Sequence, residues 1–140
     1  MSDGEIKKYI KNSIKVITKR LNLKIPHIEF SEFWGIGYSA YFELINIYLE
    51  DLKEECKYWD NNLCPLKINN FQDQVYFVIA HEVGHHFQYT KFPEWFRKYR
   101  EKKRNTLWKT REEYSKIKLE KNATKIACIL FKEYKRKEVI

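Results

Sequence analysis

The segment His81-Glu82-Val83-Gly84-His85 joins residue types and a spacing that can do chemistry. On an α-helix two histidines four apart lie one turn from each other and about 40° around the axis, so both imidazoles aim at one point. There they can fill two corners of a tetrahedral zinc site. Glu82 sits about 60° around the axis from His85, beside that point without being aimed at it, which suits a base acting on zinc-bound water. The competing reading is a helix with two incidental histidines. A catalytic zinc takes three protein ligands and leaves a position for water, so a third ligand is required. Gln88 and Lys91 stand where the elongated zinc signature would place its glycine and third histidine. No histidine follows His86 and no aspartate follows Asp73, and upstream the only histidine is His27. The remaining candidates are Glu94, Glu101, Glu112, Glu113, Glu120, Glu133 and Glu138.

The elements that must position these groups narrow the choice. Residues 71–80 read as a buried helix opened by Asn69 or Asn70, each with Gln or Asp three residues on, and this helix carries the motif. Its projection puts Tyr76, Ile79, Val83 and Phe87 on a core side, with Gln74, Phe77, Val78 and Gln88 beside the ligand pair lining a cleft. His86 points about 120° away and is excluded as a ligand. From Thr110, capped with Glu113, a long amphipathic helix carries apolar residues at Tyr114, Ile117, Ala123, Ala127, Leu130, Phe131 and Tyr134. Glu120 falls within that stripe, where a carboxylate is costly unless paired or bound to metal, whereas Lys118, Lys121, Lys125, Lys132 and Arg136 occupy the solvated face. Ala123 and Ala127 are small enough for close approach to the motif helix. Glu120 is therefore the preferred third ligand and Glu113 the second choice, against a plain salt bridge from Glu120 to a Lys or Arg.

The paired motifs, HEVGH at 81–85 and Glu120-x-x-Ala123 on a later helix, resemble the gluzincin clan of zinc metallopeptidases. The short chain is most similar to the minigluzincins, and it also resembles the ImmA/IrrE-type metallopeptidase domain. The resemblance covers about half of the chain and implies a peptidase with one zinc ion and a glutamate as third ligand. Some minigluzincins are latent forms whose own terminal segment covers the cleft. Many members of the clan have an aspartate four residues after the glutamate ligand, supporting the first histidine, where this chain has Thr124. A hydroxyl orients an imidazole less strongly than a carboxylate does.

The expected mechanism has His81, His85 and Glu120 holding Zn2+ with one water. Glu82 takes a proton as that water attacks a peptide carbonyl and delivers it to the leaving amine. Tyr89 and Tyr114 are candidates to stabilise the oxyanion. A peptide or unfolded protein substrate would add to an edge strand formed by Tyr38, Ser39, Ala40, Tyr41 and Phe42. The helix continuing through Lys132 to Ile140 could fold its apolar end back over the cleft and make the form latent.

The 140 residues fit one zincin-like α+β domain, residues 1–140. Its parts are an N-terminal helix capped by Ser2 and Glu5, whose stripe Ile6, Ile10, Ile14, Ile17 and Leu21 backs a small, mostly antiparallel sheet, then the active-site helix and the glutamate-bearing helix. Strands are expected at 26–30, 38–43 and 44–49, short helices at 50–58 and 93–103, and a loop at 60–70. No apolar run matches a signal-peptide core or a membrane span, so a cytoplasmic location is expected. Three cysteines give no disulfide framework, and Cys56 and Cys64 are expected as free thiols. The net charge of +8, with basic runs at 97–104 and 135–137 near Tyr99 and Trp108, allows a different function. That alternative is a nucleic-acid-binding or regulatory module with a structural or vestigial zinc, against which stands the plain reading of a solvated, mixed-charge helix face.

Overall fold

The computed structural model describes residues 1–32, 35–56, 68, 70–104 and 118–139, with only the backbone at 102–104 and 138–139. It is an α+β arrangement of helices α1 (Asp3–Arg20), α2 (Leu49–Glu55), α3 (Phe71–Lys91), α4 (Pro93–Arg104) and α5 (Lys118–Val139) with strands β1 (His27–Phe30), β2 (Gly37–Ser39) and β3 (Leu44–Ile47). The expected helix start at Thr110, with Glu113 as its cap, lies outside the described residues.

Helix α1 begins with a reciprocal cap. Ser2 Oγ accepts from the Glu5 amide at 3.2 Å, and the Glu5 carboxylate accepts from the Ser2 amide at 3.1 Å. Such a cap contributes about 1 kcal/mol. Ile6, Ile10, Ile14 and Ile17 are all buried, and each contributes roughly 1.5–3 kcal/mol, so docking and not the cap holds this helix. Its partner is chiefly α3, and its stripe shares one core with Ile45 and Ile47 of β3.

The sheet is mixed, which corrects the expectation of a mostly antiparallel one. Its order is β1-β3-β2, with β1 and β3 parallel and β2 and β3 antiparallel. The central place goes to the strand with the most apolar residues to bury: Ile45 and Ile47 of β3 are fully enclosed, while β1 and β2 are only partly covered. Strand β2 is shorter than expected. Ala40, Tyr41 and Phe42 form the turn before β3, closed by a hydrogen bond from the Glu43 amide to the Ala40 carbonyl at 3.2 Å, with Glu43 at a positive φ of 47°.

Helix α3 starts at Asn70, whose side chain accepts from the Asp73 amide at 2.8 Å. It is buried on every side from Val75 to His86, so the expected division into a core side and an open cleft side is not found. A helix whose sequence is apolar nearly all round is a central one, and here α1, α4, α5 and β2 surround it. Helix α5 lies antiparallel along α3. Gln88 meets Leu119 and Asn122, Gly84 meets Ala123, the Tyr76 hydroxyl donates to the Leu130 carbonyl at 3.4 Å, and Lys135 pairs with Asp73 at 3.0 Å. No described helix is long and apolar enough to cross a membrane.

Candidate metal centre

The antiparallel register of α3 and α5 brings Glu120 to His81 and His85, 39 and 35 residues earlier in the sequence. Their donor atoms lie within 4.8 Å of one another, and this group could hold a metal ion. Both Nε2 atoms face the same carboxylate oxygen: His81 at 3.1 Å and His85 at 2.9 Å from Glu120 Oε2. All three residues are buried, and Glu120 is only 2 % exposed. The close approach comes from both helices. A Cβ at Gly84 would sit 3.2 Å from the Ala123 carbonyl oxygen and 3.3 Å from its Cα, so glycine on α3 and alanine on α5 together make the crossing point.

The far side of each imidazole is held as well. His81 Nδ1 lies 3.1 Å from Thr124 Oγ1, so the residue that stands in place of an aspartate reaches the first histidine. His85 Nδ1 lies 2.8 Å from Gln88 Oε1. The Gln88 amide nitrogen donates to the Leu119 carbonyl and to Asn122 Oδ1, both at 2.9 Å. A main-chain carbonyl can only accept, so the amide nitrogen must face Leu119 and the amide oxygen must face His85. That oxygen also only accepts, so His85 Nδ1 carries the hydrogen. A neutral His85 then presents its Nε2 lone pair to the Glu120 carboxylate at 2.9 Å, and two acceptors this close repel unless a cation or a proton lies between them. The donor set, two imidazoles and one carboxylate with the His85 Nδ1–H tied behind to Gln88 and His81 Nδ1 against Thr124, fits a divalent metal.

The electrostatics express the same demand. Burial opposes ionisation of Glu120, yet hydrogen bonds from His81 and His85, helped by their charge, outweigh it and hold the carboxyl far below the usual carboxylate range. Burial pulls His85 toward neutrality, but the Glu120 hydrogen bond and charge, followed by the Glu82 charge and the Gln88 hydrogen bond, raise its affinity for a proton above the ordinary value. In the metal-free protein a proton on His85 does the work of the cation.

The other candidates fall elsewhere. Glu82 is buried at 8 % exposure, close enough to His85 for its charge to be felt. His86 takes no part in the ligand group: its Nε2 donates to the Lys24 carbonyl at 2.9 Å, and its Nδ1 accepts from the Tyr38 hydroxyl at 2.8 Å. This bond turns Tyr38 inward, and β2 presents only Gly37–Ser39 as an edge strand. Tyr89 packs edge-on against Phe96 at 5.6 Å in a small cluster with Ala40 and Leu119. His27, Glu94 and Glu101 are exposed, and Glu133 pairs with Arg20 at 2.7 Å. Glu112, Glu113, Tyr114, Trp108 and Cys64 lie outside the described residues. Cys56 is a buried free thiol, pushed up to about 12 by burial and then by Glu55, and Cys128 is a half-buried free thiol on α5. Helix α5 continues through Lys132 to Val139 as expected, with Lys135 reaching Asp73 near the start of α3, and the apolar end expected to fold back, the Val139 side chain and Ile140, lies outside the described residues. Of the basic runs, Arg97, Lys98, Arg136 and Lys137 are at the surface.

Gln88 and Asn122 are contacts of the donor group that the motif alone does not reveal. The available signal is an amide three residues after His85 on its own helix face. No protein-family model, no curated protein and no solved structure matches this chain.

Proposed function

We propose that this protein is a zinc-dependent endopeptidase acting on peptide or unfolded protein substrates, with His81, His85 and Glu120 as metal ligands and Glu82 as general base. The observation that carries the reading is the convergence of the three buried donor atoms within 4.8 Å, beside a carboxylate that directly follows the first histidine. Two imidazoles and one carboxylate are a zinc set with a coordination position to spare, as in catalytic sites. Bound zinc supplies a Lewis acid that polarises a peptide carbonyl and makes water nucleophilic near neutral pH. Thr124 and Gln88 hold the two rings from their Nδ1 sides, Gln88 fixing the His85 hydrogen there, so that both Nε2 atoms face the place of the ion. Glu82 accepts the proton of the attacking water and returns it to the departing amine. An extended substrate would lie along the outer edge of β2, with the hydroxyl of Tyr89 or Tyr114 as donor to the developing oxyanion.

The burial of Glu82 favours a second reading, a closed structural zinc site in a basic binding module. Within the peptidase reading, the same burial belongs to a form closed at rest. The deciding experiment is zinc stoichiometry of wild type and Glu82→Gln, with cleavage of an unfolded protein assayed on the same samples. One zinc in both and cleavage by wild type alone is the expected result. Equal cleavage by Glu82→Gln removes Glu82 as the base. Zinc in both, cleavage in neither and salt-dependent binding of nucleic acid would put the basic module in place of the enzyme.

A further inference from the structure

Helix α5 carries a second feature beside its metal ligand. Lys118, Lys121, Lys125 and Lys132 line a groove of about 650 Å3 together with Trp95 of α4 and the 51 % exposed Ile129. Three other cations of the described helices are paired, Arg20 with Glu133, Lys53 with Asp3 and Glu50, and Lys135 with Asp73, while Lys8 and Lys15 of α1 line a smaller groove of about 420 Å3. Lys121, Lys125 and Lys132 have no ion pair, hydrogen bond or ring contact among the described residues, and Lys118 meets the hydroxyl and ring of Tyr99. Three uncompensated ammonium groups along a partly apolar groove are complementary to a chain bearing carboxylates.

Spacing and shape select the kind of chain. From Lys118 to Lys132 the helix rises about 21 Å, the length of roughly six residues of extended peptide. Lys121 and Lys125 are about 6 Å apart along the axis, close to the repeat of same-side residues on an extended strand. Binding of single-stranded nucleic acid calls for free aromatic faces on which bases stack. Among the described residues Trp95 is the groove's one aromatic, and it leans on Tyr99 at 5.0 Å, whose ring is itself met by Lys98 and Lys118 at 5.5 Å and 5.2 Å. Apolar lining and point charges suit a peptide with alternating acids better.

The groove also borders the metal centre from behind. Asn122 and Thr124 line it, and they are the residues that reach Gln88 and His81 Nδ1. Its occupant would therefore lie on the Nδ1 side of the rings, opposite the donors that face Glu120, and would not be the bond being cut. We infer that this groove docks an acidic, extended segment of the substrate, remote from the scissile bond. Calling the segment substrate rests on the peptidase reading above; the docking itself does not.

The test is fluorescence anisotropy of labelled hexaglutamate with the full chain carrying Glu82→Gln, at low and raised salt, with labelled hexaglutamine and hexathymidylate as comparators. Hexaglutamate is expected to bind at least tenfold more tightly than hexaglutamine, and to weaken as salt rises. Adding Lys121→Glu, Lys125→Glu and Lys132→Glu should abolish that preference. The same charge change made on α1, Lys8→Glu, Lys15→Glu and Lys19→Glu, should leave it. Lys125→Ala, with circular dichroism as a check on folding, should weaken hexaglutamate binding in the same direction. Equal loss in the α1 control would reduce the effect to diffuse attraction by a basic protein and overturn the proposal. Retained binding in the α5 variant, or tighter hexathymidylate binding dependent on the same lysines, would overturn it too. In a second arm, six glutamates added to an unfolded substrate should lower KM for the active chain with little change in kcat, and should not do so when Lys121→Glu, Lys125→Glu and Lys132→Glu are made in the chain that keeps Glu82. Absence of all cleavage with docking intact would count against the peptidase reading alone; cleavage without docking would count against the groove alone.

Discussion

The contact between α3 and α5 has two ends of opposite chemistry. At one end His81, His85, Gln88, Glu120, Asn122 and Thr124 form a connected polar group, buried or half-buried throughout. At the other, Tyr76 stacks on Tyr134 at 4.2 Å and Phe77 meets Phe131 edge-on at 6.1 Å, with Leu130 buried beside them. Within the polar end Gly84 and Ala123 bring the two backbones close together. The aromatic end gains stability simply by excluding water. The polar end places a carboxylate and two imidazoles where they are costly without a cation. One pair of helices thus separates holding from binding, and the apolar end fixes the register that sets Glu120 opposite the histidines.

The largest expected effect tests that separation directly. Glu120→Ala should lose the bound zinc that wild type retains on dialysis, while far-ultraviolet circular dichroism stays helical because the aromatic end is untouched. Unchanged zinc would transfer the ligand role to Glu113 or another residue. The mirror experiment is Phe131→Ala, which should cost about 3–5 kcal/mol in denaturant unfolding through a cavity at the fully buried ring. Its folded fraction should still bind one zinc. A folded Phe131→Ala protein without zinc would show that the two ends act as one unit.

The two ends also differ in how far the sequence discloses them. Glu120 is legible because a lone carboxylate interrupts an apolar stripe, and the caps at Ser2 and Asn70 are legible because they depend on residues three apart. Local periodicity carries that kind of information. It does not carry the β1-β3-β2 order, which depends on which strand has most to bury, nor the enclosure of α3 on every side. Gln88 belongs to this second class. Its position on the histidine face can be read from spacing, but its bonds to Leu119 and Asn122 follow from how two distant helices are aligned.

Gln88 offers a finer probe of the polar end than removing a ligand does. Gln88→Leu should leave all three donor residues in place and weaken zinc binding by roughly 10–100-fold, the usual effect of losing a group that orients a metal-bound histidine. Competition against a chromophoric chelator measures it. Gln88→Glu restores an acceptor for His85 Nδ1 while losing the donors to Leu119 and Asn122, so it should recover part of the affinity. Equal affinity in all three proteins would mean that the aromatic end alone orients His85.

The smallest expected effect is a pH dependence confined to the polar end of the metal-free protein. Glu120 has its folded value pushed below the ordinary 4.5, so its contribution is present above that pH and fades as pH falls toward the depressed value. His85 has its folded value raised above the ordinary 6.5, so its contribution is complete below that pH and is lost as pH rises through the raised value. The pair therefore stabilises the metal-free protein most between about pH 4.5 and 6.5, and the net gain is modest because burying both charges offsets their attraction. Zinc reverses the upper limit, since it must displace the His85 proton and so binds more strongly as pH rises. Thermal midpoints of the chelated protein should decline from pH 6 to pH 8.5, and the stabilisation added by zinc should grow over the same interval. At the aromatic end burial raises the Tyr76 hydroxyl above its ordinary 10.0, outside that interval. A chelated protein as stable at pH 8.5 as at pH 6 would mean that no proton bridges His85 and Glu120, and that the polar end is held together without a cation of any kind.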